Sequence, residues 1–218
     1  MNIIPKRFIR IWIGSNKMPI IFNNWWNQFK EIHTGYEFIT ITSINKIPIP
    51  EKIQPIIKKV NSCAGISDIL RIIVLYEIGG IYVDTDVMPL KSFDALIETS
   101  KEKAFLAKRS SKSFESAIIG SPKKHKGFEE LINQLPEYFY KNLNKSASVQ
   151  TGPAFVSSVL FGRDDVLHLP TKTFYPYNGF MAPKRNEKEI IFSNKNNFPP
   201  EMIAAHFSNH IWGGNPHK

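Results

Sequence analysis

Apolar positions along this chain follow first a strand-like and then a helical spacing, and the switches between the two mark its elements. Residues 7–13 (Arg7-Phe8-Ile9-Arg10-Ile11-Trp12-Ile13) pass from mixed to continuously apolar and stop at Gly14-Ser15-Asn16, which predicts a first strand ending in a loop. Trp25, Trp26 and Phe29 fit one face of a short helix, and the β-branched and aromatic stretch from Tyr36 to Ile41 predicts a second strand. Prolines hold Ile47-Pro48-Ile49-Pro50 extended. From Ser67 the spacing turns helical: Ile66, Ile69, Leu70, Ile73 and Tyr76 share one broad face, with Ser67 the expected N-cap. Gly79-Gly80 closes this helix, because a left-handed residue is needed there and glycine takes it without steric cost. Ile81-Tyr82-Val83 then predicts a short strand running into Asp84-Thr85-Asp86. Residues 104–107 and 117–119 predict further strands, 128–143 a helix interrupted at Pro136, and Ile203 to Phe207 a last strand. With no internal repeat or low-complexity linker, one mixed α/β domain over residues 1–218 is expected.

Composition narrows the classes. A chain of 218 residues, 42% hydrophobic and 12% aromatic, has the material for a sizeable core, so a disordered protein is excluded. No apolar run reaches the roughly 18 residues that span a bilayer, and Pro5, Lys6, Arg7, Arg10, Asn16 and Lys17 break up the N-terminal stretch where a secretory core would lie. A cytosolic protein is therefore expected. The single cysteine, Cys63, cannot form an internal disulfide and reads as a small buried residue. The formal charge of +9 attracts anionic partners. The lysines are spread along the chain, however, and the densest cluster, Lys123-Lys124-His125-Lys126, is short and without interleaved aromatics. It reads as a solvated loop, with an anion or peripheral membrane contact as the alternative. A nucleic-acid partner is not expected. A non-enzymatic basic module stays open, and would show salt-sensitive binding that needs no metal.

The candidate chemistry sits after the Gly-Gly stop. Side chains alternate along a strand, so Asp84 and Asp86 are expected on one side of its carboxyl end, where open α/β sheets place their ligands. Two carboxylates so close repel unless a cation lies between them, and hard oxygen ligands suit Mn²⁺ or Mg²⁺ with phosphates completing the shell. Alone, an Asp-x-Asp is a weak signal and often only a surface turn. Upstream, Asp68 and Arg71 are three apart on the helix, which suits either a site face or an ordinary surface salt bridge. A haloacid-dehalogenase-like phosphatase also places Asp-x-Asp after an apolar strand. Here Val87 and Met88 follow the pair and a Gly-Gly helix stop precedes it, which argues against that class.

The run Ser67-Asp68-Ile69-Leu70-Arg71 and then Leu75-Tyr76-Glu77-Ile78-Gly79-Gly80-Ile81-Tyr82-Val83-Asp84-Thr85-Asp86-Val87 resembles the sugar-binding region of the family 32 glycosyltransferases. That family includes yeast initiating mannosyltransferases, α-1,4-glycosyltransferases and capsule-type enzymes of polysaccharide biosynthesis, and is related to the clostridial glucosylating toxins. Pro5 to Gly14 resembles its opening strand; Thr151-Gly152-Pro153, Phe174-Tyr175-Pro176 and His206 to Trp212 echo later landmarks. The resemblance implies a GT-A fold, a Rossmann-like mixed sheet flanked by helices, and a retaining hexosyltransferase. Its partners would be a UDP- or GDP-linked sugar donor and a carbohydrate, glycolipid or protein acceptor. Carried over by position, it implies that Trp12 stacks on the base, with a core tryptophan as the competing reading. Asp68 and Arg71 would grip the donor sugar and diphosphate, and Tyr82 and Trp212 would lie beside the donor. Asp86 would meet the metal directly, with Asp84 second and His206 completing the metal or phosphate site. Three departures stand out. Arg10 replaces a usual histidine, the serine before the terminal tryptophan is lost, leaving Asn209 or His210 as substitutes, and Phe114-Glu115-Ser116 lacks the usual asparagine. The last two leave the acceptor side open.

Overall fold

The computed structural model describes residues 2–176 and 185–208. β1 (Arg7–Ile11), α1 (Ile20–Ile32) and β2 (Glu37–Ile41) open the chain, and α2 (Gln54–Lys59) leads to α3 (Cys63–Ile78), β3 (Gly80–Val83), β4 (Val87–Pro89) and α4 (Asp94–Ser100). The hairpin of β5 (Ala104–Ser110) and β6 (Ser113–Ser121) precedes α5 (Lys126–Lys141), α6 (Ala147–Gln150), α7 (Pro153–Leu160) and β7 (Val166–Leu169); α8 (Arg185–Phe192) and β8 (Ala204–His206) follow.

Six strands form a mixed sheet in the order β2-β1-β3-β6-β5-β7. β1 runs parallel to both β2 and β3, β6 is antiparallel to β3 and β5, and β7 returns parallel to β5. β3 is buried at every position because helices cover both faces, which explains its unbroken apolar run. One face packs Ile9, Tyr82 and Ile119 against Ile69 and Leu75 of α3, Leu131 of α5 and Phe155 of α7. The other packs Phe8 and Ile81 against Trp26 and Phe29 of α1 and Leu96 of α4. A third cluster, including Phe22, Trp25, Met88, Phe192 and Phe207, joins α1 and α8 to a small antiparallel sheet of β4 and β8. The expected last strand therefore forms, but pairs in this small sheet and not in the main one.

Two local expectations are corrected, and a third gains a detail. α3 starts at Cys63, and its N-cap is Ser62, whose Oγ accepts the Gly65 N–H at 3.1 Å. A Cβ on Gly65 would come within 2.7 Å of Val60 Cγ1, so the glycine lets the preceding chain close over the cap. Ser67 lies inside the helix, 4% exposed, because α3 is buried on nearly every side. α5 runs unbroken through Pro136. Burying Phe128, Leu131, Ile132, Leu135 and Phe139, at roughly 1.5–3 kcal/mol each, outweighs the ~3 kcal/mol that an interior proline costs. The Lys123–Lys126 stretch is a tight turn with a structural histidine: His125 is 6% exposed and its Nδ1 accepts the Gly127 N–H to cap α5.

The helix stop behaves as its sequence demands. Gly79 (φ +67°) and Gly80 (φ +121°) both occupy the left-handed half of the map, and a Cβ on Gly80 would sit 2.8 Å from the Arg7 carbonyl oxygen. The chain thus reverses from α3 into β3, delivering Asp84 to the carboxyl end of a central strand.

Candidate active site

β3 ends at Val83, so Asp84 and Asp86 are not brought together by strand alternation. They lie on a turn in which the Val87 N–H donates to the Asp84 carbonyl at 3.3 Å. The Asp84 N–H is held by the Ala117 carbonyl of β6 at 2.7 Å, and the Asp86 carbonyl accepts the Phe207 N–H at 2.9 Å. This second bond, with the pairing of Val87 to His206 between β4 and β8, brings a histidine 120 positions further on beside the turn. His206 Nε2 stands 3.2 Å from Asp86 Oδ1 and 3.9 Å from Asp84 Oδ2. One ligand atom from each of Asp84, Asp86 and His206 lies within 4.8 Å of the others. Two hard oxygens and an imidazole nitrogen, each 13–16% exposed, form a partly open donor set that suits Mn²⁺ or Mg²⁺. The other ring nitrogen, Nδ1, is 3.0 Å from Ser208 Oγ, which orients the imidazole.

Beneath this set lies a buried charge network. Arg71 is 3% exposed, and its NH2 pairs with Asp68 Oδ1 at 3.0 Å and Asp84 Oδ1 at 3.2 Å. Its NH1 donates to the Ser116 carbonyl at 2.5 Å, and the guanidinium stacks 4.4 Å from the Tyr82 ring centroid. Tyr82, 1% exposed, donates its hydroxyl to Asp84 Oδ1 at 2.6 Å. The Asp68–Arg71 pair is therefore not a surface salt bridge. Thr151 Oγ1 donates to Asp68 Oδ2 at 3.3 Å, and Gly152 packs so close that a Cβ there would meet the same oxygen at 3.0 Å.

Burial pushes the Asp68 carboxyl up to about 6 despite Arg71, and raises Asp84 against the opposing pull of Arg71 and His206. Burial alone would lower His206, but the carboxylates of Asp86, Asp84 and Glu115 outweigh it and raise the imidazole above its ordinary value. Burial likewise drives the Tyr82 phenol well up, so it stays a donor to Asp84.

Sequence reasoning thus named Asp68, Arg71, Tyr82, Asp84, Asp86 and His206, and the structure brings these six together. Trp12, just past β1, is half-buried, its Nε1 donating to the Asn16 carbonyl at 2.8 Å and its ring 6.5 Å from that of Phe22, and it packs on the cluster that holds Met88 and Phe207. Trp212, Asn209 and His210 lie outside the described residues. Four neighbours were given no role: Ser116, Thr151, Glu115 and Lys188. Ser116 and Glu115 fall in the stretch noted for its missing asparagine, and Thr151 opens a noted landmark. Lys188 carried no local signal. Glu115, raised by burial, pairs with Arg109 at 3.4 Å and lies close enough to His206 and Asp84 to interact electrostatically with both.

Residues 19–103 match the family model described as a glycosyltransferase sugar-binding region containing a DXD motif. The match takes in Asp68 through Asp86 and leaves out the opening strand and the later landmarks. No curated sequence matches the chain at a significant level. Among solved structures, the PaToxG glycosyltransferase superposes with a TM-score of 0.61 at 18% identity, over 73% of this chain and 69% of that one. The UDP-bound glycosyltransferase domain of the YGT toxin gives 0.54 at 11% identity, over 77% and 80%. The galactosyltransferase LgtC in complex with donor and acceptor sugar analogs gives 0.53 at 12% identity, over 94% and 88%. The fold is GT-A. Both the matched region and the fold are thus similar to those of glycosyltransferases.

Proposed function

We propose that residues 1–218 act as one retaining hexosyltransferase domain, moving a hexose from a UDP- or GDP-linked donor to a carbohydrate, glycolipid or protein acceptor. The convergence of Asp84, Asp86 and His206 carries this reading. Two segments distant in sequence, the Asp84–Asp86 turn and the strand ending in His206, supply a donor set that suits a divalent ion, beside a DXD region of a GT-A fold. A divalent ion bound there supplies positive charge against the negative charge that grows on a departing diphosphate. Asp86 and His206 would hold it, with Asp84 as the second carboxylate. Tyr82 and Arg71 act through Asp84, fixing its orientation from below, and Asp68 turns its free lone pairs toward the sugar hydroxyls. Trp12 offers a half-buried ring for the nucleotide base, and Trp212 is a further donor contact. The YGT domain is UDP-bound and LgtC is in complex with donor and acceptor sugar analogs, which supports a nucleotide-sugar donor for this chain as well.

No carboxylate nucleophile is assigned, because in a front-face retaining reaction the leaving phosphate itself accepts the acceptor's proton. No helix among the described residues is long and apolar enough to cross a membrane, and the charge of +9 suits a peripheral contact with an anionic surface. The reading is tested by screening UDP- and GDP-hexoses for hydrolysis with Mn²⁺ and with chelator. One donor hydrolysed only with metal is expected. Metal-independent cleavage, or turnover of simple phosphate esters instead, would refute it and favour the phosphatase alternative.

A further inference from the structure

Lys188 is 8% exposed, and no other lysine among the described residues is buried. Its Nζ donates to the Ser208 carbonyl at 3.1 Å and lies 5.9 Å from the Phe207 ring centroid, but among the described residues it forms no direct ion pair. A buried ammonium with no counter-ion at contact distance among the described residues is costly, which makes its location informative. Ser208, in a left-handed conformation (φ 52°), links it to the site, since its Oγ meets His206 Nδ1 at 3.0 Å. Phe207, between them, donates its N–H to the Asp86 carbonyl. α8 thus brings a positive charge against the β8 strand that completes the metal-binding set. Burial lowers this ammonium, and the Asp86 carboxylate is the group that works to raise it.

The charges around it show what the lysine awaits. Arg71 is taken up by Asp68 and Asp84. Asp86 faces His206 directly and Lys188 at longer range. A divalent ion on Asp84 and Asp86 would cancel their charge and so take from Lys188 the attraction that Asp86 offers it. An anion with several charges, placed near both the ion and the ammonium, would restore that attraction.

We propose that Lys188 is a contact for the donor's diphosphate and makes the metal and the diphosphate depend on each other. Metal alone binds against the lysine's charge, and metal with diphosphate binds with its help. The inference rests on the nucleotide-sugar reading above and adds to it a residue that no sequence motif marks.

The test is calorimetric titration of the wild type and of Lys188→Met, which keeps the apolar stem over Phe207 and removes the charge. With Mn²⁺ saturating, UDP and GDP are each titrated, together with the matching monophosphate of whichever one binds. Tenfold or greater weakening of the diphosphate, with the monophosphate within twofold of wild type, is expected. With Mn²⁺ alone, the variant should bind the ion several-fold more tightly. Lys188→Arg should recover most of the diphosphate affinity, and Lys188→Gln serves the same arms if Lys188→Met does not fold. Equal loss of mono- and diphosphate, or unchanged or weaker capture of Mn²⁺ alone, overturns the proposal. Wild-type protein that takes up Mn²⁺ but neither nucleotide overturns the donor reading itself, and this inference with it.

Discussion

Replacing Arg71 with methionine tests the buried network beneath the metal-binding set. The change removes two ion pairs, at 3.0 Å to Asp68 and 3.2 Å to Asp84, and the bond to the Ser116 carbonyl. It keeps most of the apolar volume over Tyr82. Breaking a buried pair by removing one partner costs about 3–5 kcal/mol, because the other charge is left uncompensated. Here two carboxylates are left, and the folded chain can limit the loss by protonating one. Asp68 already sits at about 6 with Arg71 in place, so without it the carboxyl rises further. The unfolded chain titrates near 3.9, so between pH 6 and 8 the folded variant holds a proton that its unfolded form does not. Its stability therefore falls as pH rises, by about 1.4 kcal/mol per pH unit per proton, or about 3 kcal/mol over the window. The wild type is already about half-way through its Asp68 transition at pH 6 and therefore changes far less. Urea unfolding of both proteins with chelator, at pH 6 and 8, reads the difference. A loss under about 1 kcal/mol at pH 8, or one that does not change with pH, would refute the network as drawn.

Tyr82→Phe removes one hydroxyl, the 2.6 Å donor to Asp84. A charge-assisted bond of about 1.5–3 kcal/mol translates into roughly 10- to 100-fold less donor turnover with the fold retained, and wild-type rates would show that Asp84 does not need this support. His33, 2% exposed, has its Nδ1 against the Phe29 carbonyl at 2.8 Å while Nε2 accepts the Phe93 N–H at 3.0 Å, so it is buried neutral. Burial lowers its pKa against the opposing pull of the Phe29 bond and Asp94. The stability this lends is present above about pH 6.5 and is lost as pH falls toward the depressed value. Urea midpoints should drop between pH 6.5 and 5 and do so less steeply in His33→Gln; parallel slopes would contradict this. Pro136→Ala restores the α5 hydrogen bond and should stabilise by up to about 3 kcal/mol, whereas a lower melting temperature would mean that the proline suits its site.

The acidic turn of the candidate site was legible because local chemistry dictated it. Two consecutive left-handed positions admit little but glycine, so Gly79-Gly80 announced the helix stop, and the strand and acidic turn followed from it. The family resemblance, not spacing, pointed to His206. What stayed hidden depends on tertiary placement. Asp68 and Arg71 have the spacing of a surface pair, and only burial of α3 on nearly all sides turns them into a network under Asp84. Strand alternation was the wrong reason for the right pair, since Asp84 and Asp86 converge through a turn. Pro136 read as a break because the local rule counts only the proline's cost, and not the apolar face of α5 that outweighs it. Lys188 and Glu115 come from segments whose patterns say nothing of the site; the β4–β8 pairing and the β6 strand bring them in.

The central claim is that Asp86 holds the divalent ion on which the donor depends. Mn²⁺ capture followed by electron paramagnetic resonance, with the nucleotide diphosphate present, tests it in wild type and Asp86→Asn of equal melting temperature. The account predicts saturable capture by the wild type and at least tenfold weaker capture by the variant. Equal capture by both proteins would contradict it.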